Sequence, residues 1–180
     1  MTKLLLSVHV LAAIVSIGPV AVAASMFPPA ARAALAAPGD GQAAGIARVL
    51  YRICGVYSAL GLVAVVFGFF TAQSLGVLGQ GWLIAAIALT GLAALVLALA
   101  VLPTQRDLID EITAAGAPTA DPAAEGRPAG TLPAGTLPAG AVSVALARSR
   151  RLAMSVGVFN LLWVAVTVLM IVRPGSTTGA

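Results

Sequence analysis

Trp82-Leu-Ile-Ala-Ala-Ile-Ala-Leu-Thr-Gly-Leu-Ala-Ala-Leu-Val-Leu-Ala-Leu-Ala-Val-Leu102 contains no charged residue and a single hydroxyl, Thr90. At about 1.5 Å of rise per residue, such a run crosses the roughly 30 Å hydrocarbon layer of a bilayer as one helix. Three other stretches read the same way: residues 4–27, 53–73 and 152–172, none with an Asp, Glu, Lys or Arg. Pro28-Pro29 is expected to stop the first, Pro103 to edge the third, and Arg173-Pro174-Gly175 to close the fourth. Four such segments in one short chain, with no amphipathic partner to shield them, make lipid the expected solvent. The expected fold is all-α, an antiparallel four-helix bundle forming a single integral membrane domain over 1–180.

Composition agrees. The chain is 60% hydrophobic and 9% charged, against about 25% charged residues in an ordinary soluble domain. Its pI of about 10.2 could point to nucleic acid, but the basic residues sit at the ends of apolar runs and form no basic face. At such positions they report topology. Arg32, Arg48 and Arg52 fall in the loop 28–52, and Arg106, Arg127, Arg148, Arg150 and Arg151 in the loop 103–151. The other side holds Lys3 and Arg173. Eight basic residues against two place both loops in the cytoplasm and both termini outside, in a bacterial cytoplasmic membrane. A rival reading takes Lys3, the apolar run and Ala-Val-Ala-Ala-Ser at 21–25 as a cleaved secretory signal; cleavage would leave three helices and put three arginines on the wrong side.

Within loop 28–52, Asp40 after Pro38-Gly39 is a candidate cap for a helix starting near Gln42. Thr104–Thr113 reads as a helical extension of the third crossing, and the short link 74–81 makes helices two and three an expected antiparallel pair. Residues 114–140 are rich in Pro, Ala and Gly and repeat Thr-Leu-Pro-Ala-Gly at 131–135 and 136–140. Such a segment buries too little apolar area to offset its ordering entropy, so a disordered cytoplasmic linker is expected.

Polar groups inside the membrane are costly and are the first functional candidates. His9 shares a helical stripe with Ala12, Ala13 and Ser16, a small and polar stripe suited to the bundle interior. It could hold two helices together, ligate haem or copper, or relay protons. A single histidine excludes bis-histidine haem within one chain; Met170 on helix four, or His9 of a second copy in a homodimer, would have to complete a site. Cys54, at the far end of helix two, reads as a small buried hydrophobe. Asn160 is expected to make an interhelical hydrogen bond, with Ser16, Tyr57, Ser58 and Thr90 as possible partners and Thr167 on the same face. Close packing is expected at Gly61 and Gly68 on helix two, along Ala86, Thr90, Ala94 and Ala98 on helix three, and at Gly157 on helix four.

The opening Leu4-Leu-Leu-Ser-Val-His-Val-Leu-Ala-Ala-Ile-Val-Ser-Ile-Gly-Pro19, with Met26-Phe-Pro28 and Tyr51-Arg-Ile-Cys-Gly-Val-Tyr-Ser-Ala-Leu-Gly61, resembles a bacterial family of four-crossing integral membrane proteins of unknown function. More distantly, the start resembles CopD-type copper-resistance membrane proteins. The resemblance covers the crossings and leaves out the Pro-Ala-Gly segment. It implies a fold, and His9 is the residue it carries over.

No nucleophile–base pair or acidic dyad is evident, so an enzyme is not expected. The expected role is a non-enzymatic accessory subunit or interaction protein of a larger membrane complex. The alternative is a haem- or copper-binding protein built on His9, and a small transporter stands third. The charge distribution makes one direct forecast. A cysteine engineered in the third loop stays unlabelled by a membrane-impermeant maleimide in intact cells and becomes labelled on lysis; labelling in intact cells would refute this orientation.

Overall fold

The computed structural model describes residues 1–117 and 139–175. Its elements are α1 (Thr2–Ala36), α2 (Gly41–Ser74), α3 (Gly81–Val96), a π-helical turn (Leu97–Val101), α4 (Leu102–Gly116) and α5 (Ala139–Val172). The π turn joins α3 and α4 into one rod, Gly81–Gly116. Four rods result, each long and apolar enough to cross a membrane. The protein is an all-α antiparallel bundle with the character of a multi-pass membrane protein.

The rods are longer than the sequence led us to expect. With 35, 34, 36 and 34 residues, they extend roughly 50–54 Å, well beyond the hydrocarbon layer. Pro28-Pro29 do not stop α1, which runs on to Ala36 with Pro19, Pro28 and Pro29 inside it. The lost backbone bonds are outweighed by packing: Phe27, Ala31, Ala34 and Leu35 are all buried against the other helices. The second helix begins at Gly41 rather than Ile53, so the first loop shrinks to a turn at 37–40. There Gly39 adopts φ +94°, and the Asp40 carboxylate accepts from the Gln42 and Ala43 N–H groups at 2.9 and 3.3 Å. The anticipated cap is therefore present, and the helix it starts continues through the membrane.

Pro103 likewise does not end the third helix. A proline lacks the N–H and its ring crowds the carbonyl four residues back; here the preceding turn opens to π geometry, with Leu102 N–H bonding Leu97 O. The chain then continues as α4, so the extension foreseen at Thr104–Thr113 is real. Residues 114–116 end α4 and 139–140 begin α5, which trims the expected linker at both ends. The fourth helix begins well before Leu152. The expectation of disorder, and the Thr-Leu-Pro-Ala-Gly repeat up to Pro138, lie outside the described residues.

Seven arginines, Arg32, Arg48, Arg52, Arg106, Arg148, Arg150 and Arg151, gather at one end of the bundle, hereafter the basic end. The largest core cluster lies there, with Phe27, Leu35, Leu50, Cys54, Leu108 and Leu152 among its members. It is tied by polar contacts between rods. Arg148 pairs with Glu111 and lies 3.9 Å from Asp107. Arg32 donates to Ser149 Oγ at 3.2 Å, and Ser149 donates to the Pro28 carbonyl at 3.3 Å. Gln105 Nε2 donates to Cys54 Sγ at 3.5 Å. A small central cluster joins Val20, Ala93 and Phe159, and a third joins Ala72, Trp82 and Leu83 near the opposite end.

The lateral arrangement also differs from expectation. Helices two and three are sequence neighbours, yet α2 lies chiefly along α1 and α3 along α5, and α2 meets the third rod mainly through α4. Shape explains part of this: the small surface of Ala93 receives Phe159 from α5, with Trp163 alongside. The basic-end core should dominate stability. Leu108→Ala is expected to cost about 2–5 kcal/mol, read as a lowered thermal midpoint in detergent, whereas Val65→Ala on an exposed face should change stability by no more than about 0.5 kcal/mol.

Candidate functional site

Two polar nodes lie in the membrane-spanning part, and each is set by its helices. The first joins α1 to α2. His9 Nδ1 lies 2.7 Å from the Ala64 carbonyl oxygen. A carbonyl can only accept, so Nδ1 carries the proton of this bond. The imidazole lies on Gly68: a Cβ there would fall 2.7 Å from His9 Cε1 and 2.9 Å from Nδ1. One heptad along, Gly61 faces Ser16, whose Oγ would lie 3.9 Å from an added Cβ. His9 and Ser16 are seven residues apart, as are Gly61 and Gly68, so antiparallel rods bring the pairs into register. Gly68 is thus a place where only a glycine lets α1 approach, while at Gly61 a Cβ would make ordinary van der Waals contact.

Ser16 is buried, but its hydroxyl donates to Ala12 O of its own helix at 2.7 Å and makes no interhelical bond. Serine back-bonding of this kind satisfies the hydroxyl without a partner helix. Thr167 does the same to Trp163 O at 2.8 Å. Among the described residues, Tyr57 and Thr90 make no interhelical side-chain hydrogen bond; Tyr57 packs on the central cluster. Of the five residues proposed for polar contacts between helices, Asn160 alone makes one.

Asn160 forms the second node, between α5 and α1. Its Nδ2 donates to Ser25 Oγ at 3.1 Å, and Ser25 donates in turn to Ala21 O at 2.7 Å. Ser25 is not among the partners expected from the sequence. Asn160 Oδ1 and Trp163 Nε1 are buried and, among the described residues, have no hydrogen-bond partner. Both residues line an open groove of about 320 Å³ with Ala21, Val164, Thr167 and Val168.

The packing surfaces need correction on helices three and four. Ala86 is fully buried, but Ala94 and Ala98 are exposed, and the buried small residue next along α3 is Ala93. The contact stripe therefore repeats every seven residues rather than every four, as expected where helices cross at a shallow angle. Gly157 is exposed, and a Cβ on it would meet nothing within 4 Å.

Met170 packs with the cluster of Ala72, Trp82 and Leu83, where Arg173 lies 5.6 Å above the Trp82 ring. His9 is held on α2 at Ala64 and Gly68. Cys54 is fully buried. The residue sequence reading missed is Gln105, fully buried beside Cys54 with Oε1 unpartnered. Its signal was legible: Val101, Gln105, Leu108, Ile112 and Ala115 form one stripe at helical spacing. Among the described residues, no group of three or more His, Cys, Asp or Glu comes together as a metal site.

No family model matches the chain, and neither a curated protein nor a solved structure matches it. The His9 node gives a direct test of the packing. Gly68→Ala should destabilise by about 1–3 kcal/mol through overpacking. Adding His9→Ala should recover much of that loss, giving a non-additive double-mutant cycle in thermal unfolding; strict additivity would disprove the contact.

Proposed function

We propose that this chain is a multi-pass protein of a bacterial cytoplasmic membrane that works without catalysis, as an accessory subunit or interaction protein of a larger membrane complex. The observation supporting this reading is how its intramembrane polar groups are used. His9 is committed to Ala64 and Asn160 to Ser25, each singly and each for holding helices, and the acidic residues Asp107 and Glu111 lie at the basic end around Arg148. Chemistry needs such groups to converge on one point; recognition needs a shaped, apolar surface, which the exposed flanks of α1, α2 and α5 provide. The basic end, with its seven described arginines, faces the cytoplasm in this reading, following the positive-inside rule.

A second reading has one specific observation in its favour. The Nδ1–H bond to a backbone carbonyl orients His9 in the way metal-ligating histidines are commonly held, with Nε2 left as the donor atom. A haem or copper centre would then use His9 with a second ligand, from Met170 or from another chain.

One preparation separates the readings. The protein, solubilised gently from its native membrane, is expected to co-purify with other subunits in fixed stoichiometry and to show no visible absorption. A partner-free product would sink the subunit reading. A Soret band or stoichiometric copper that disappears in His9→Ala would establish the second reading instead.

A further inference from the structure

We infer that the seam between α2 and α4 at the basic end binds one anionic phospholipid, with Arg52 and Arg106 holding its phosphate and the apolar surface next to them taking its acyl chains. The inference goes beyond the subunit reading and does not depend on it.

Register puts the two arginines together. Two contacts tie α2 to α4 across this seam: Arg48 Nη2 donates to Thr113 Oγ1 at 3.5 Å, and Gln105 Nε2 donates to Cys54 Sγ at 3.5 Å. The rods are antiparallel, so Arg52 and Arg106 both fall between these anchors, at levels only about two residues, or roughly 3 Å, apart along the axis. Arg48 and Thr113 are exposed, whereas Cys54 and Gln105 are buried. Arg52 is one turn from Arg48 and Arg106 two turns from Thr113, so both belong to the exposed side of the seam, and both are exposed themselves.

The charge there is positive. Among the described residues, the acidic side chains Asp107 and Glu111 turn the other way, to Arg148 on α5. Asp110 is exposed and lies one turn beyond Arg106, on the side away from the apolar spans. Arg48, Arg52 and Arg106 outnumber it. A guanidinium is a planar fork that matches phosphate oxygens two at a time, and two such forks from facing helices can hold one phosphate between them.

Depth identifies the phosphate as a lipid's. Ser74 ends α2 and Trp82 lies at the start of α3, at the opposite end of the bundle. About 20 residues cross the hydrocarbon layer, which from those positions reaches Cys54 on α2 and Leu102 on the third rod. Arg52 lies half a turn past the first limit and Arg106 one turn past the second, at the level of the headgroups. Basic pockets between helices at this level suit anionic headgroups. The acyl chains have a place beside them. The Arg52 stripe continues along α2 into the apolar span as Val56, Ala59 and Val63, all exposed, and the third rod exposes Ala98 and Leu99 in its π turn. These walls stay open because α2 meets the third rod mainly through α4, while α3 lies along α5.

The test titrates the full chain in a neutral detergent with dioleoylphosphatidylglycerol or dioleoylphosphatidylcholine and follows bound lipid by native mass spectrometry. Phosphatidylglycerol should fill one saturable site, about tenfold or more tightly than phosphatidylcholine. Arg52→Gln combined with Arg106→Gln should weaken that binding about tenfold or more. Arg150→Gln combined with Arg151→Gln removes as much charge at a similar depth on α5 and should weaken it less than about twofold. Helical content and thermal midpoint without added lipid establish that each variant folds; should the Arg52 and Arg106 pair fail that check, Arg106→Gln alone must still weaken binding about threefold or more. Equal affinity for the two lipids, equal weakening by the two double variants, or displacement of the lipid by an equal concentration of inorganic phosphate would each overturn the assignment. Co-purification of other subunits is unaffected by any of these outcomes, so the two ideas fail separately.

Discussion

Lipid gives helices little reason to associate by burying apolar surface, because acyl chains are as apolar as leucine. Everything in this bundle follows from that constraint. Along their apolar spans, the rods are held by close approach at Gly68 and by a few hydrogen bonds, at His9 and Asn160. Where they run past the hydrocarbon at the basic end, water is present and the hydrophobic effect returns. The largest core cluster is found at that end, together with the Arg148–Glu111 pair and the Arg32–Ser149–Pro28 chain of contacts. The rods are about 20 Å longer than a crossing requires, and the extra length is what makes a water-driven core available to a membrane protein.

The same constraint explains why the polar residues are spent as they are. A hydroxyl in lipid can be satisfied within its own helix, and Ser16, Thr71 and Thr167 do so. An amide or imidazole reaches farther than the nearest helical carbonyl and must find a second helix. His9 finds a backbone oxygen, exposed to it because Gly68 has no side chain. Asn160 finds Ser25 and still has an oxygen left over.

Proline was the least reliable guide. Pro28, Pro29 and Pro103 read as stops, yet all three lie inside continuous rods. A proline removes one backbone bond and crowds one carbonyl, a penalty that tertiary packing or a π turn can absorb. The local cost is legible in the sequence, whereas the compensation comes from helices distant in the chain. The Asp40 cap and the α4 extension were legible because both depend on neighbours a few residues away. The pairing of α1 with α2 and of α3 with α5 was not, since it depends on which surfaces fit across the bundle.

By itself, then, the sequence determined the helical class, four helices long and apolar enough to cross a membrane, and the gathering of arginines between them. These are set by uncharged length and by where arginines fall, both one-dimensional properties. It also marked His9, Asn160, Gly61 and Gly68 as residues of consequence, because polar or side-chain-free positions in a lipid-facing run are anomalous on their face. Only the tertiary structure decided what each one meets: Ala64 and Gly68 for His9, Ser25 for Asn160, Cys54 for Gln105. It also decided which small residues pack, with Ala93 buried and Ala94, Ala98 and Gly157 left outside. The reason is geometric. Helical periodicity says which residues share a face, but the direction of that face is fixed only when four rods settle against one another.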